Sequence, residues 1–326
     1  MLETLTISAF TTLSGVQLEP FPLSFECFGE PLGEAPLILV NHALTANSTL
    51  TGQNGWWNEI VGPDRAVDTN RASVLCFNIP GNGYDNFFFD DAIQLTSTDV
   101  ALIFLEGLRQ LKISTVDLFI GGSVGGGVAW SMLTQNKVEF KHFVPIATDW
   151  KSTDWIIAHC HIQERLLQEN SDWGLKLARQ LAMLSYRSPQ SFDSRFQRER
   201  KSAKYAVESW LDYHGDALSD RFHAKAYRHL NQILRQINAV GEGETFEEKV
   251  QLLNTYFHVV TITSDLLFIP AEDEKTVEQL KQMGKKVDHF KIFSEHGHDA
   301  FLIEHQQVSA IIKGVCNQIS GLIPGT

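Results

Sequence analysis

Short apolar runs alternate with stretches of helical spacing through the first half of this chain, and that alternation predicts its elements. Pro36-Leu37-Ile38-Leu39-Val40-Asn41-His42 and Ala72-Ser73-Val74-Leu75-Cys76-Phe77-Asn78 are nearly continuous in apolar residues. Such runs suit parallel strands covered on both faces. Ser24-Phe25-Glu26-Cys27-Phe28-Gly29 reads as an earlier strand. Between Thr96 and Leu111 the apolar residues Val100, Leu102, Ile103, Leu105, Leu108 and Leu111 return with the period of a helix. Thr96-Ser97-Thr98-Asp99 supplies side-chain oxygens for that helix's unpaired N–H groups. A further apolar run, Val116 to Ile120, passes through glycines into a helical stretch ending near Leu133, and His142 to Ala147 is the next strand. Strand and helix in this order predict an α/β architecture, a mostly parallel, doubly wound sheet with right-handed crossovers.

The rhythm changes at about Asp149. From there to Val240 the pattern is helical, with Trp155 to Leu167, Leu175 to Tyr186 and Ala224 to Ile237 as examples, and no strand is expected. We read residues 149–245 as a helical lid inserted over the carboxyl edge of the sheet, and 1–148 with 246–326 as the core. Gly241-Glu242-Gly243-Glu244 is the joint by which the chain returns. A helix from Phe246 to Tyr256 and a strand from His258 to Thr263 follow. The helix from Glu272 to Lys285 runs from acidic to basic, as its dipole favours. A strand from His289 to Phe293 and a last amphipathic helix from Phe301 to Ile319 complete the series, with no internal repeat.

Composition narrows the class. The 326 residues are 43% hydrophobic and 20% charged, which supports a large packed core rather than disorder. A net charge of −12 argues against a general nucleic-acid binder, which needs basic surface to neutralise phosphate, but allows a local patch for a phosphorylated small molecule. Basic and acidic residues nearly balance between Lys151 and Thr245, so the acidity belongs to the core. Met1-Leu2-Glu3-Thr4-Leu5 lacks the basic-then-apolar start of a signal peptide. No run reaches the roughly 18 apolar residues of a membrane helix. Cys27, Cys76, Cys160 and Cys316 are widely spaced and make no C-x-x-C pair, as expected of free thiols in a reducing cytoplasm. The expectation is a cytoplasmic protein with small-molecule partners, no nucleic acid and no membrane.

The candidate chemistry centres on Gly121-Gly122-Ser123-Val124-Gly125, a G-x-S-x-G pattern between a strand and a helix. Such a turn lifts a serine hydroxyl above the sheet edge. Its glycines permit close approach of strand and helix and backbone angles with positive φ. A serine nucleophile needs an imidazole to take its proton and a carboxylate to orient that imidazole. Asp265 follows one later strand and His298 follows the next. The order serine, acid, histidine, each at a strand's carboxyl end, is similar to that of the α/β-hydrolase fold. Taken singly, Asp265 also reads as a helix cap or turn former, and His298 competes with His296. His296 and His298 with Glu295, or His159 and His161 around Cys160, have metal-binding residue types without a third ligand at ordinary spacing, so no metal is expected. The joint order favours the triad. An oxyanion hole needs two backbone N–H groups, here assigned to Val124 and to Leu44 in the His42-Ala43-Leu44-Thr45 loop.

Several segments together resemble the homoserine O-acetyltransferase family of α/β-hydrolase-fold acyltransferases. They include Asn41-His42-Ala43-Leu44-Thr45, Gly55-Trp56-Trp57-Asn58, Gly121 to Gly126, Gly174-Leu175-Lys176-Leu177-Ala178-Arg179 and Tyr186-Arg187-Ser188. Val207 to Gly215, Ser264 to Phe268 and Gly297-His298-Asp299-Ala300-Phe301-Leu302 extend the resemblance over nearly the whole chain. It implies a ping-pong reaction in which Ser123 takes an acyl group, most simply acetyl, from acyl-coenzyme A and passes it to the side-chain hydroxyl of homoserine or a close analogue. By motif, Arg179 would hold the acceptor's carboxylate, Asp299 its ammonium, and Tyr186 would lie beside them. It also implies a homodimer through the lid. Three features depart from the family: Asn78-Ile79-Pro80-Gly81-Asn82-Gly83-Tyr84-Asp85-Asn86 replaces a glycine-rich stretch with paired threonines, Val124 replaces methionine, and a loop is shortened between Gln163 and Gly174. These bear on the donor (acetyl or succinyl) and the acceptor (homoserine or serine). An ester hydrolase on the same triad is the alternative.

Overall fold

The computed structural model describes residues 1–169 and 171–322. Eight strands form one sheet: β1 (Leu2–Ile7), β2 (Phe21–Gly29), β3 (Leu37–Asn41), β4 (Ser73–Phe77), β5 (Thr115–Gly122), β6 (Glu139–Ile146), β7 (Tyr256–Ile262) and β8 (Val287–Ile292). Their spatial order is β1-β2-β4-β3-β5-β6-β7-β8. β1 pairs with β2, and β2 with β4, in antiparallel fashion. Every later pairing is parallel. The mostly parallel sheet expected from the apolar runs is therefore present, with an antiparallel edge that adds β1. That strand carries no clear signal in the sequence: Leu2-Glu3-Thr4-Leu5-Thr6-Ile7 lies on a largely exposed edge and has no long apolar run.

Ten α-helices occur among the described residues: α1 (Ser97–Gln110), α2 (Val124–Thr134), α3 (Asp154–Glu169), α4 (Ser171–Tyr186), α5 (Pro189–Phe196), α6 (Ala206–Ser219), α7 (Ala224–Arg235), α8 (Phe246–Gln251), α9 (Pro270–Gln282) and α10 (His305–Cys316). The Thr96 hydroxyl accepts from Asp99 N–H while the Asp99 carboxylate accepts from Thr96 N–H, a reciprocal cap that starts α1 where the sequence placed it. The sheet's two faces follow from the two-residue period of its strands. Phe119, Phe143 and Phe257 pack on one face, where Trp130 of α2 meets Phe143 edge-on at 4.9 Å and stacks on Phe257 at 5.5 Å. Leu118, Ile120, Val144, Ile146, Val260 and Ile262 share the other face with Val308, Ile312 and Val315 of α10. Burial of these side chains, about 1.5–3 kcal/mol each, holds the strand ends in register for the site above them.

Helices α3 to α7 all fall between β6 and β7. The outgoing and returning segments are strapped together: Lys151 bridges Asn238, Ser152 N–H donates to Ile237 O at 2.9 Å, and Ala239 N–H donates to Trp150 O at 2.9 Å. Three expectations need correction. A two-residue ribbon, Arg200–Lys201 with Lys204–Tyr205, lies in the segment expected to hold no strand. The helix expected to reach Tyr256 stops at Gln251, because Tyr256 is already paired with His142 in the parallel ladder of β6 and β7. The last helix is split into a 3₁₀ turn, Gly297–Leu302, and α10, with Gly297 at φ 65 marking the turn's start. No described helix is long and apolar enough to cross a membrane.

Candidate active site

Ser123 sits where β5 gives way to α2, at φ 53 and ψ −130. A non-glycine residue held there stores about 1–3 kcal/mol of strain, which the surroundings must over-determine. They do so by hydrogen bonds: Ser123 N–H donates to Ile146 O at 3.0 Å, and the N–H groups of Gly126 and Gly127 donate to Ser123 O at 2.9 and 3.2 Å. The glycines serve close approach. A Cβ on Gly126 would overlap the Thr148 side chain and stand 2.8 Å from Gly121 O, and one on Gly125 would overlap the carbonyl of His42. The positive φ expected of the glycines falls on the serine itself, since none of Gly121, Gly122, Gly125, Gly126 or Gly127 has it.

His298 joins the other two members. Its Nε2 lies 2.8 Å from Ser123 Oγ and its Nδ1 lies 2.7 Å from Asp265 Oδ2. A carboxylate only accepts, so the neutral ring carries its proton on Nδ1 and leaves Nε2 to accept from the serine hydroxyl. The other Asp265 oxygen accepts from Leu267 and Phe268 N–H at 2.7 and 2.9 Å, which fixes the carboxylate's direction. Asp265 is thus a turn former and a histidine partner at once; the cap position of α9 belongs to Ile269. All three side chains are buried. The imidazole is framed by Phe268, stacked at 5.6 Å, and by Phe301, edge-on at 5.7 Å. Burial disfavours the imidazolium, but the charge and hydrogen bond of Asp265 and the charge of Asp299 outweigh it, so the His298 pKa is raised. His296 points elsewhere, toward Arg187 Nη1 at 3.5 Å and Ser191 Oγ at 3.4 Å.

Of the two N–H groups assigned to the oxyanion hole, one belongs to the residue after Ser123 and the other to a loop tied to the elbow. Val124 occupies the first position of α2, where a helix leaves its N–H without an internal acceptor. Leu44 lies in the loop after β3, which Asn41 ties to the elbow by donating from Nδ2 to Gly125 O at 3.2 Å. Neither N–H makes a hydrogen bond among the described residues.

Arg179 and Tyr186 come from α4, and Asp299 from the turn that carries His298. The Tyr186 ring lies 5.5 Å from the His298 ring, and the Arg179 guanidinium lies 5.5 Å from the Tyr186 ring. Burial pushes the Tyr186 phenol up to about 12, with the Arg179 charge opposing and the Asp299 charge adding. Arg179 makes no ion pair among the described residues, whereas Asp299 is paired with Arg187 Nε at 3.1 Å. Sequence reasoning did not single out Arg187 as the partner of Asp299, and it weighed His159 only as a metal-binding residue type beside His161, not as the hydrogen-bonded partner of Gln163 within α3. Burial and the nearby His298 charge push the His159 imidazole down to about 4. A signal existed: His159 and Gln163 are polar positions on a buried stripe with Ile156, Cys160 and Leu167. Among the described residues no cluster of His, Cys, Asp and Glu side chains is arranged to hold a metal ion.

Comparison with known proteins adds the following. The family model of the alpha/beta hydrolase fold matches residues 36–304. A homoserine O-acetyltransferase of Moorella thermoacetica is 32% identical over 345 residues, which cover 92% of this chain and 91% of that protein. A solved homoserine O-acetyltransferase structure from Bacillus anthracis superposes with a TM-score of 0.88 at 18% identity, covering 98% of each chain. An acetylester hydrolase from Corynebacterium glutamicum superposes with a TM-score of 0.81 at 17% identity, covering 97% of this chain and 95% of that one. At such identities the two structures speak for the fold alone.

Proposed function

Since this chain belongs to the homoserine O-acetyltransferase family of α/β-hydrolase-fold proteins, we propose that it moves an acyl group, most simply acetyl, from acyl-coenzyme A to the side-chain hydroxyl of homoserine or a close analogue. In the first half-reaction Ser123 Oγ attacks the thioester carbonyl while His298 Nε2 takes its proton. The negative charge on the carbonyl oxygen is received by the Leu44 and Val124 N–H groups. Collapse of the adduct breaks the C–S bond, and His298 returns the proton to the leaving thiolate. In the second half the acceptor hydroxyl loses its proton to His298 and attacks the acyl-serine carbonyl. The O-acyl product leaves and Ser123 Oγ regains the proton.

The observation that carries this reading is the continuous hydrogen-bonded line from Asp265 through His298 to Ser123, with Tyr186 beside His298 and the Arg179 guanidinium, which makes no ion pair among the described residues, over the Tyr186 ring. A guanidinium matches a carboxylate in two parallel hydrogen bonds, which suits it to hold an amino-acid acceptor by its carboxyl end. Asp299 would receive the acceptor's ammonium on a carboxylate already neutralised on one side by Arg187. Residues 149–245 act as the lid that brings Arg179 and Tyr186 over the serine.

Intact-mass measurement after exposure to acetyl-coenzyme A and succinyl-coenzyme A tests the first half. A covalent acyl adduct is expected on the native chain and not on Ser123→Ala. Homoserine, serine and water are then offered to the adduct. Fast discharge by homoserine supports the transferase, whereas equal discharge in water alone establishes the ester hydrolase instead.

A further inference from the structure

The loop after β3 carries a buried imidazole that the proton transfers above do not use. His42 is fully buried, and each ring nitrogen faces a group of fixed role. Nδ1 lies 2.8 Å from the carbonyl oxygen of Ala43, which can only accept. Nε2 lies 3.0 Å from the backbone nitrogen of Ile79, which can only donate. One protonation state satisfies both partners: the neutral ring with its proton on Nδ1. The cation would set a second N–H against that of Ile79. The other neutral tautomer would oppose two acceptors at Nδ1 and two donors at Nε2. Asn82 Nδ2 points at the same Nε2 from 3.4 Å, and a second Nδ2 contact of 3.1 Å holds it to Asn78 Oδ1. Asn78 in turn donates to Ser24 and Ser48. The tautomer is therefore imposed jointly by the Ala43 carbonyl and the Ile79 N–H, the latter in the stretch where this chain departs from the family's glycine-rich pattern. Burial pushes the His42 pKa down to about 4, against the opposing bond to Ala43, so the ring stays neutral near pH 7.

We infer that His42 is a positioning residue of the oxyanion hole: its Nδ1–H fixes the Ala43 carbonyl and so aims the Leu44 N–H of the same peptide at the reacting acyl oxygen. A trans peptide is planar, with C=O and N–H directed oppositely, so a carbonyl drawn toward the imidazole turns the N–H to the other side. No cis peptide bond occurs among the described residues, so this relation holds at Ala43–Leu44. The loop lies against the first turn of α2, where only a glycine at 125 clears the His42 carbonyl. The inference rests on the reading of Ser123 as an acyl carrier.

Two measurements test it. Nitrogen NMR of ¹⁵N-histidine-labelled wild-type protein at pH 7.5, with His42 assigned by its loss in a variant, should show a protonated Nδ1 and a bare Nε2. Free imidazole side chains favour the opposite tautomer, so an Nε2–H form or a cation overturns the proposal. The second compares His42→Asn with His42→Gln in the acylation burst from p-nitrophenyl acetate. The Asn amide nitrogen reaches the place of Nδ1 and keeps the donor to Ala43, whereas Gln reaches only the place of Nε2. His42→Gln should lower the acylation kcat about 10- to 100-fold with KM little changed, and His42→Asn should restore most of it. Equal losses in the two variants, an unchanged kcat, or a change confined to KM overturns the proposal. Where His42→Gln does not fold, the wild-type tautomer decides. A wild-type chain that no acyl donor acylates removes the acyl-carrier premise itself, an outcome the variants cannot imitate.

Discussion

Arg187 Nε and Asp299 Oδ2 face each other at 3.1 Å, and the contact joins the helices inserted after β6 to the turn that carries His298. It does not stand alone. The Ser188 hydroxyl donates to the Glu295 carbonyl, the Ser194 hydroxyl donates to the Glu295 carboxylate at 2.9 Å, and Gly297 packs against the backbone of Tyr186 and Arg187. These contacts tie the α4–α5 junction to Asp299, the residue next to His298 in the chain. Replacing Arg187 with Met leaves the Asp299 carboxylate largely buried without its cation. The expected cost is about 3 kcal/mol in urea unfolding. The unopposed charge also raises the His298 pKa further, and an unchanged unfolding midpoint would remove the pair from the account.

The pH profile follows from the direction of the His298 shift. As the proposed general base His298 must be neutral, and its pKa is raised above 6.5. The acid limb of kcat/KM for acylation should thus lie above the ordinary histidine value, with activity falling as the pH drops through it. Asp265→Asn removes the stabilising charge and disturbs the tautomer, at a cost of about 10⁴ in kcat. A limb at or below the ordinary value in the wild-type profile would contradict the balance of charges described here.

On the proposed mechanism, Arg179 acts in only one of the two half-reactions. If its guanidinium holds the acceptor carboxylate, Arg179→Gln leaves formation of the acyl-enzyme unchanged. The acceptor KM should rise about 10- to 100-fold, as loss of a charge-assisted hydrogen-bonded pair implies. Stopped-flow detection of thiol release against steady-state acceptor titration distinguishes the steps. A parallel loss in both would assign Arg179 to the scaffold.

A buried acid pair sets a stability term away from the reaction. Asp149 accepts from Thr276 Oγ1 and Trp150 N–H, both at 2.8 Å, and burial raises its pKa to about 7 against those bonds. Asp273 is also raised, by burial first and then by Asp149. Between the ordinary 3.8 and about 7 the folded chain binds more protons at Asp149 than the unfolded chain does, so this site lowers stability as pH rises through that window. Asp149→Asn keeps an acceptor for both donors and cannot ionise. It should flatten the fall in thermal midpoint between pH 5 and pH 8, with Asp273 retaining its own part. A steeper fall in the variant would reverse the assignment.

The parts of this molecule that were legible in its sequence share a local cause. The Ser123 elbow, Asp265 and His298 each sit where an apolar strand ends, and the cap of α1 is written in four consecutive residues. Other parts depend on segments far apart in the chain. The helical period from Phe246 continues through Leu252 and Leu253, yet the chain extends because Tyr256 must enter the ladder beside His142. Arg187 meets Asp299, and His42 meets Ile79, only after the sheet has brought their loops together. At the elbow the glycines provide clearance, and the positive φ expected of them belongs to the serine, whose angles follow from the hydrogen bonds around it.

The strap between Lys151 and Asn238 closes the inserted helices into a loop whose two ends are neighbours. A segment that begins and ends at one place in this way can change in length without changing the length or register of any strand of the large sheet. Ser123, Asp265, His298 and Asp299 all lie outside this segment, and Arg179 and Tyr186 lie within it. Variation in the insert's length is thereby taken up above the sheet, apart from the strands that lead to Ser123, Asp265 and His298.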